Sequence, residues 1–177
     1  NVNTIGPRSM YDESKRFAES ATHSYMSTHG IHTNIARIFN TYGTNMQIDD
    51  GRVVTNFIYQ AINGKDITLY GTGSQTRSFC YVDDLIDAII LMMERDFRGP
   101  LNLGNPLEIS VLELAETVIK LTGSSSKLSF KPLPENDPQM RRPDISAAEN
   151  NIGWKPRVNL KDGLKETINY FKFLLGK

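Results

Sequence analysis

The chain has 177 residues, enough for one domain with a sizeable core, and its 39% apolar and 23% charged residues describe an ordinary soluble protein. Twenty basic residues balance twenty acidic ones, which excludes a broad nucleic-acid or membrane-binding surface. The most apolar stretch, residues 85–93, is far shorter than the roughly 20 residues of a membrane span. The single cysteine, Cys80, excludes an internal disulfide.

Helices and short strands alternate along the chain, which predicts an α/β fold. The predicted helices show apolar residues at helical spacing and cover residues 9–29, 53–63, 83–95, 110–121, 144–152 and 159–175. The predicted strands are short apolar runs at residues 33–39, 67–70, 79–82, 101–103 and 128–130. The run 33–39 is apolar on both sides, as expected of a strand inside a parallel sheet. These strands are too few for a complete doubly wound sheet.

Several local signals mark where the elements begin and where loops lie. Ser110 with Glu113 three residues later predicts a capping box, and Asp144 and Asn159 are expected N-caps. Residues 40–52 read as a loop rich in Asn, Asp and Gly, at the position where α/β proteins bind ligands. The proline-rich, charged stretch 132–143 is expected to lack regular structure.

Tyr11 and Lys15 are four residues apart in the first predicted helix and therefore lie on one face, one turn apart. A free phenol loses its proton near pH ~10, and a neighbouring ammonium favours the phenolate. Such a pair is typical of a base that takes a proton from a substrate alcohol. Seven tyrosines and ten lysines give about 0.4 such pairs by chance, so the spacing alone does not establish this role.

Other polar residues in loops favour a small diphosphate ligand, although each one is also typical of an ordinary surface or turn residue. Asn40 directly follows the strand 33–39, where an amide would donate to a phosphate or sugar oxygen. Four arginines on irregular segments suit bidentate phosphate binding, namely Arg52, Arg77, Arg141 and Arg142.

Metal and nucleophile chemistry are not indicated. The three histidines cluster near one helix end without the spacing of a metal site. Asp83 and Asp84 read as helix-start residues rather than an acid–base pair. Cys80 lies in an apolar run and is expected to be a buried small hydrophobe.

Seven segments in order carry a family resemblance: Tyr11-Asp-Glu-Ser-Lys15-Arg16, Ala36-Arg-Ile-Phe-Asn-Thr-Tyr-Gly43, Asp50-Gly-Arg-Val-Val54, Leu69-Tyr-Gly-Thr-Gly-Ser-Gln-Thr-Arg77, Tyr81-Val-Asp-Asp-Leu85, Asn102-Leu-Gly-Asn105 and Asp137-Pro-Gln-Met-Arg-Arg-Pro-Asp144. Together they resemble the extended short-chain dehydrogenase/reductase family, the NAD-dependent epimerases and dehydratases of sugar nucleotides. The likeness is greatest to its branch that decarboxylates UDP-glucuronate.

The resemblance implies a Rossmann-type α/β fold with a smaller sugar-nucleotide domain. Residues 1–43 would end the NAD-binding domain, and residues 44–177 would be mostly substrate domain, with some segments returning to the Rossmann sheet. The implied reaction is a lyase reaction that converts UDP-glucuronate to UDP-xylose through a 4-keto sugar. The tyrosine–lysine pair is equally common in 4,6-dehydratases and 4-epimerases of the family, and a non-catalytic nucleotide-sugar-binding module is the alternative from another class.

The resemblance also implies roles for individual residues. Tyr11 and Lys15 would be catalytic and would contact the cofactor, NAD, together with Thr41. The nucleotide would contact Asn40, Tyr70, Arg77 and Arg141, and Arg52 would reach either a substrate or a cofactor phosphate.

The family's glycine-rich dinucleotide turn and its other catalytic residues precede the tyrosine motif and do not occur in these 177 residues. We therefore expect a C-terminal fragment that lacks the N-terminal NAD-binding strands and is inactive alone. By the same resemblance, the first helix is expected to form a homodimer through Phe17, Ala21 and their neighbours. A cytoplasmic location is expected, although an anchor upstream would be invisible here.

Overall fold

The computed structural model describes residues 4–6, 9–133 and 140–177. Within them the chain forms six helices and nine strands. The helices are α1 (Ser9–His29), α2 (Val53–Ile62), α3 (Val82–Glu94), α4 (Val111–Thr122), α5 (Ser146–Ile152) and α6 (Leu160–Leu174). The strands are β1 (Asn34–Ile38), β2 (Thr41–Tyr42), β3 (Ile67–Tyr70), β4 (Thr76–Ser78), β5 (Cys80–Tyr81), β6 (Gly99–Leu103), β7 (Glu108–Ser110), β8 (Leu128–Lys131) and β9 (Met140–Arg141).

The strands form four small sheets. Three of them are parallel pairs, β1 with β6, β2 with β5, and β3 with β8. In the fourth, β4 lies between an antiparallel β7 and a parallel β9. Parallel pairs joined through helices confirm the predicted α/β class.

Two apolar clusters form the core. The larger one packs α2, α4 and α6 around β3, with Ile58, Leu114 and Phe171 fully buried. The smaller one packs α3 and α5 against β6, with Leu101 and Trp154 buried.

Most predicted helices are confirmed because their signals are local. Helix α1 has the predicted bounds, and α4 begins with the predicted capping box, in which the Ser110 side chain accepts from the Glu113 N–H. Asn159 caps α6 as predicted, accepting from the Asp162 N–H. The prediction that Asp144 is the N-cap of α5 is wrong, because Ile145 occupies that position. The Asp144 carboxylate, one residue earlier, accepts from the backbone and hydroxyl of Ser146.

Three predictions about strands and loops are wrong. Strand β1 is not covered on both sides: within the described residues only β6 pairs with it, and Ala36 and Ile38 are exposed. The loop 40–52 contains β2, which forms because Thr41 and Tyr42 pair with the distant Cys80 and Tyr81.

The stretch 132–143 was expected to be irregular throughout, but its Met140–Arg141 portion pairs with β4 as β9. Residues 134–139 of that stretch lie outside the described part of the chain, and so does the start of the segment 137–144.

Candidate functional site at the carboxyl ends of β1 and β6

Tyr11 and Lys15 occupy the first two turns of α1, as their spacing predicts. The Lys15 Nζ lies 5.5 Å from the centroid of the Tyr11 ring. Tyr11 is 61% exposed, and none of the described side chains of α1 is buried. The phenol and the ammonium therefore form an adjacent pair that is open to an approaching ligand.

An ion pair links α1 to β1. Arg37 donates from Nε and Nη2 to the two carboxylate oxygens of Glu19, at 2.7 and 2.5 Å. This bidentate contact lowers the pKa of Glu19, chiefly through the hydrogen bonds from Arg37. Further along the helix, Met26 lines a cavity together with Thr33 and Ile35 at the start of β1. Helix and strand therefore run in opposite directions, and the N-terminus of the helix points the same way as the carboxyl end of the strand.

That direction brings Tyr11 to the ligand-binding edge of an α/β sheet. Tyr11 is eight residues before Glu19, which is about 12 Å along the helix. Asn40 is three residues after Arg37, which is about 10 Å along an extended chain. Both residues thus extend beyond the Arg37–Glu19 contact in the same direction, past the end of β1, where open α/β sheets bind ligands.

Asn40 and Thr41 are held by backbone contacts at this edge. The Phe39 N–H donates to the Leu103 carbonyl at 2.9 Å, and the Cys80 N–H donates to the Asn40 carbonyl at 2.9 Å. The Thr41 hydroxyl donates to the Phe39 carbonyl at 3.0 Å. Both side chains stay partly exposed, so they remain accessible from the edge.

Gly104 brings the segment containing Arg141 to the same edge. A Cβ at Gly104 would lie 2.8 Å from the Phe39 Cβ and 3.0 Å from the Pro143 Cγ. Asn102 also donates from Nδ2 to the Asp144 carbonyl at 2.9 Å. The segment after β9 therefore crosses the carboxyl ends of β1 and β6, and only a residue without a side chain permits this approach.

Arg77 and Arg141 are brought together as register partners of β4 and β9. Partners in a parallel pair point to the same face of the sheet, so two guanidinium-bearing side chains share one face. The Arg77 Nη1 donates to the Thr76 carbonyl at 2.8 Å, and the Ser78 hydroxyl donates to the Arg141 carbonyl at 3.1 Å. Two cations on one face suit an anionic group such as a diphosphate.

Tyr70 and Arg52 lie at other exposed points. Tyr70 ends β3 and is 46% exposed, and its carbonyl accepts from the Gln75 side chain at 3.0 Å. Arg52 stands at the N-cap position of α2, with its Nε 3.5 Å from the Asp50 carboxylate. The structure thus gives Arg52 an acidic neighbour.

Buried ionisable groups nearby are unsuited to proton transfer at neutral pH. Burial raises the pKa of the Cys80 thiol to about 12, which agrees with its expected role as a buried hydrophobe. Burial also raises the pKa values of Tyr42 and Tyr81. The Asp84 carboxylate is buried and accepts from the Arg157 and Val158 N–H groups at 3.0 and 2.9 Å, so it is a structural residue.

In the part of the chain that the structure describes, no group of three His, Cys, Asp or Glu residues could hold a metal ion. No helix among these residues is long and apolar enough to cross a membrane.

The sequence predictions did not include two positions that shape this site. No individual role was predicted for Gly104, which lies in the segment Asn102-Leu-Gly-Asn105. A glycine directly after an apolar strand is nevertheless a signal of close backbone approach. No individual role was predicted for Tyr42 either, and its burial between β5 and α6 depends on contacts with residues 118 positions away in the sequence.

Comparison with known proteins gives this geometry a family context. The profile described as "NAD dependent epimerase/dehydratase family" matches residues 1–104. UDP-glucuronic acid decarboxylase 3 of Arabidopsis thaliana is 52% identical over 176 residues, covering 99% of this chain and 52% of the relative. UDP-glucuronic acid decarboxylase 1 of Danio rerio is 49% identical over 171 residues, covering 97% of this chain and 41% of the relative. The chain thus spans about half the length of the curated relatives it matches.

Solved structures show the same fold at lower identity. The UDP-glucose 4-epimerase of Thermotoga maritima, solved with UDP-glucose, has a TM-score of 0.90 at 27% identity, covering 97% of this chain and 55% of the other. The UDP-glucuronic acid 4-epimerase of Bacillus cereus, solved with UDP-glucuronic acid and NAD, has a TM-score of 0.87 at 28% identity, covering 98% of this chain and 58% of the other.

Proposed function

Because this chain belongs to the NAD dependent epimerase/dehydratase family, we propose that it forms about half of an enzyme that decarboxylates UDP-glucuronate to UDP-xylose. The observation that carries the proposal is the near-50% identity to curated UDP-glucuronic acid decarboxylases along nearly the whole chain. Structural neighbours with other activities are well below that identity.

In this proposal Tyr11 accepts the proton of the sugar C4 hydroxyl and later returns it. The Lys15 ammonium lies 5.5 Å from the phenol ring centroid, which places a positive charge beside the proposed base. A C4 ketone would form if bound NAD also took the C4 hydride. That ketone is β to the substrate carboxylate, so carbon dioxide could leave with the bonding electrons held in an enolate, which would then be protonated at C5 before the hydride returned to C4. The exposure of Tyr11 supports this role, because a buried phenol would not reach a sugar.

The residues present fit NAD as the cofactor. Tyr11 and Lys15 are exposed and Thr41 is partly exposed, so a ligand can reach all three. We propose that these three residues hold the nicotinamide end of the cofactor. When bound, NAD supplies a reversible hydride acceptor for C4 of the sugar.

On the substrate side, we propose that Arg77 and Arg141 bind the diphosphate from their shared sheet face. Asn40 and Tyr70 would contact the rest of the nucleotide. Arg52, exposed at the start of α2, would contact either a substrate phosphate or a cofactor phosphate.

The rest of the NAD-binding domain would come from outside these 177 residues. They contain no G-x-G-x-x-G turn. We propose that the chain leaves the NAD-binding domain at about residue 43, and the pairing of β6 with β1 supports a return of β6 to the sheet of that domain.

We further propose a homodimer through α1. This helix exposes Phe17 at 74% and Tyr25 at 63%, although neither belongs to the proposed catalytic pair. A second copy of the helix would remove these apolar rings from water. Light scattering on the full-length protein tests this: Phe17→Glu should convert a dimer to a monomer, whereas a monomeric wild type would contradict it.

The test of the function is product analysis with the full-length protein and UDP-glucuronate labelled at the carboxyl carbon. We expect release of labelled carbon dioxide and formation of a UDP-pentose. The 177 residues alone should release none, because they lack the glycine-rich turn. A full-length protein that leaves the sugar unchanged would favour a non-catalytic nucleotide-sugar-binding module.

A 4-epimerase or 4,6-dehydratase is the second candidate. The solved structures most like this chain include 4-epimerases of UDP-glucose and UDP-glucuronic acid, and a tyrosine–lysine pair serves that chemistry equally well. The same experiment separates the two: an epimerase retains the labelled carboxyl group and inverts C4.

A further inference from the structure

We infer that Tyr42 is a positioning residue through which helix α6 sets the location of Thr41 in the cofactor site. The inference rests on the proposed function, since it assigns Thr41 to the cofactor. Tyr42 itself is 1% exposed and therefore does not touch a ligand.

The first step is the contact of Tyr42 with α6. Its hydroxyl donates to the carbonyl of Leu160, the first residue of that helix, at 3.2 Å. Its ring packs edge-on against Phe79 and Tyr81, with centroid distances of 6.4 and 5.6 Å. The side chain is thus fixed at both its tip and its ring.

The second step is a glycine that makes this contact possible. Gly163 lies inside α6, where glycine is a poor helix former. A Cβ there would overlap the Tyr42 hydroxyl and lie 2.8 Å from the Tyr81 ring. Glycine at this position therefore lets the helix approach the tyrosine hydroxyl closely.

The third step connects Tyr42 to the site. Thr41 and Tyr42 form β2, and successive side chains on a strand point to opposite faces. With Tyr42 anchored in the core, Thr41 is directed to the other face, and the Cys80 N–H holds the preceding Asn40 carbonyl. A shift of Tyr42 would move Thr41 with it.

Asp84 connects the segment before α6 to α3. Its carboxylate accepts from the Arg157 and Val158 N–H groups, and its carbonyl accepts from the Trp154 indole at 2.8 Å. The segment that leads into Leu160 is therefore fixed to α3, which follows directly from β5, the partner of β2. The hydrogen bond from Tyr42 to Leu160 joins β2 to the same set of connected elements.

The test compares two variants of the full-length protein, each of which lacks one buried hydroxyl group. Tyr42→Phe removes the bond to Leu160, and Thr167→Val removes a buried hydroxyl that donates to the Gly163 carbonyl within the same helix. Calorimetric titration with NAD⁺ should show a Kd about tenfold higher for Tyr42→Phe and within about twofold of wild type for Thr167→Val, because misplacement of a binding residue weakens its contacts. Equal changes in the two variants would overturn the inference.

A second variant tests the glycine. Gly163→Ala should raise the Kd for NAD⁺ more than Tyr42→Phe does, because a Cβ there would overlap the Tyr42 hydroxyl and would also lie within 3 Å of the Tyr42 and Tyr81 rings. A folded Gly163→Ala protein with the wild-type Kd for NAD⁺ would overturn the inference. If Gly163→Ala does not fold, the comparison of Tyr42→Phe with Thr167→Val decides.

The outcomes separate this inference from the proposed function. A protein that binds NAD⁺ with the expected pattern but releases no carbon dioxide contradicts the function and supports the positioning role. If the wild type decarboxylates UDP-glucuronate and the Tyr42→Phe variant binds NAD⁺ with the wild-type Kd, only the positioning role is contradicted. A full-length wild type that does not bind NAD⁺ contradicts both.

Discussion

Replacement of Asp84 by alanine should destabilise the protein far more than replacement of its neighbour Asp83. Asp84 is 4% exposed, and its carboxylate accepts two backbone N–H groups, from Arg157 and Val158. Asp83 lies in the same first turn of α3 but is exposed. The two substitutions therefore remove the same charge from the same helix start and differ in the buried contacts.

The magnitude follows from those contacts. Leaving a buried donor without its acceptor costs about 1–3 kcal/mol. The two donors are only partly buried, so water satisfies them in part, and we expect a total of about 2–4 kcal/mol for Asp84→Ala. Asp83→Ala should lose only its interaction with the helix dipole, about 0.3–1 kcal/mol.

Urea unfolding of the full-length protein measures the difference. With a slope of about 2 kcal/mol per molar urea, Asp84→Ala should lower the unfolding midpoint by about 1–2 M. Hydrogen exchange should localise the loss to residues 154–160. Equal midpoints for the two variants, or unchanged exchange in that segment, would refute the assignment of Asp84 as the anchor of the chain before α6.

Three further predictions concern local contacts. The Cys80 thiol, whose pKa burial raises to about 12, should react with iodoacetamide at pH 8 only after unfolding. Because its folded pKa lies above the ordinary thiol value of 9.0, its contribution to stability is complete below pH 9 and is lost between pH 9 and about 12. Rapid labelling of the native protein would contradict this. Ser110→Ala should lower stability by about 1 kcal/mol and Ser110→Gly by only a few tenths, since glycine is tolerated at N-caps; equal losses in thermal unfolding would exclude a capping role. NMR titration should give Glu19 a pKa below 4.5 that returns toward this value in Arg37→Gln, and an identical titration in both proteins would mean that the pair is absent in solution.

The sequence predicted those parts of the fold whose signals lie close together in the chain. The capping box of α4 needs only Ser110 and Glu113, and the bounds of α1 follow from its apolar spacing and the glycine after it. Strand β3 was also predicted, because its apolar run ends at a glycine turn.

What the sequence did not predict depends on distant partners. Strands β4, β7 and β9 are two or three residues long and become strands only by pairing with one another. Asp84 was recognised as a helix-start residue, but its contacts with Arg157 and Val158 lie more than 70 residues away.

The candidate site also has features that are encoded locally and features that depend on distant partners. The adjacency of Tyr11 and Lys15 follows from helical spacing alone, and the structure has it. Two other features depend on tertiary packing and cannot be predicted from local sequence: the register that pairs Arg77 with Arg141, and the close approach at Gly104.

The central claim is that the phenol of Tyr11 transfers a proton at the sugar, and one comparison tests it most directly. Carbon dioxide release from UDP-glucuronate should be measured for full-length Tyr11→Phe and for Tyr25→Phe, which alters another exposed tyrosine of the same helix. The account predicts that Tyr11→Phe lowers kcat by about 10²–10⁴-fold, while Tyr25→Phe stays close to wild type. A Tyr11→Phe enzyme that releases carbon dioxide at the wild-type rate would contradict it.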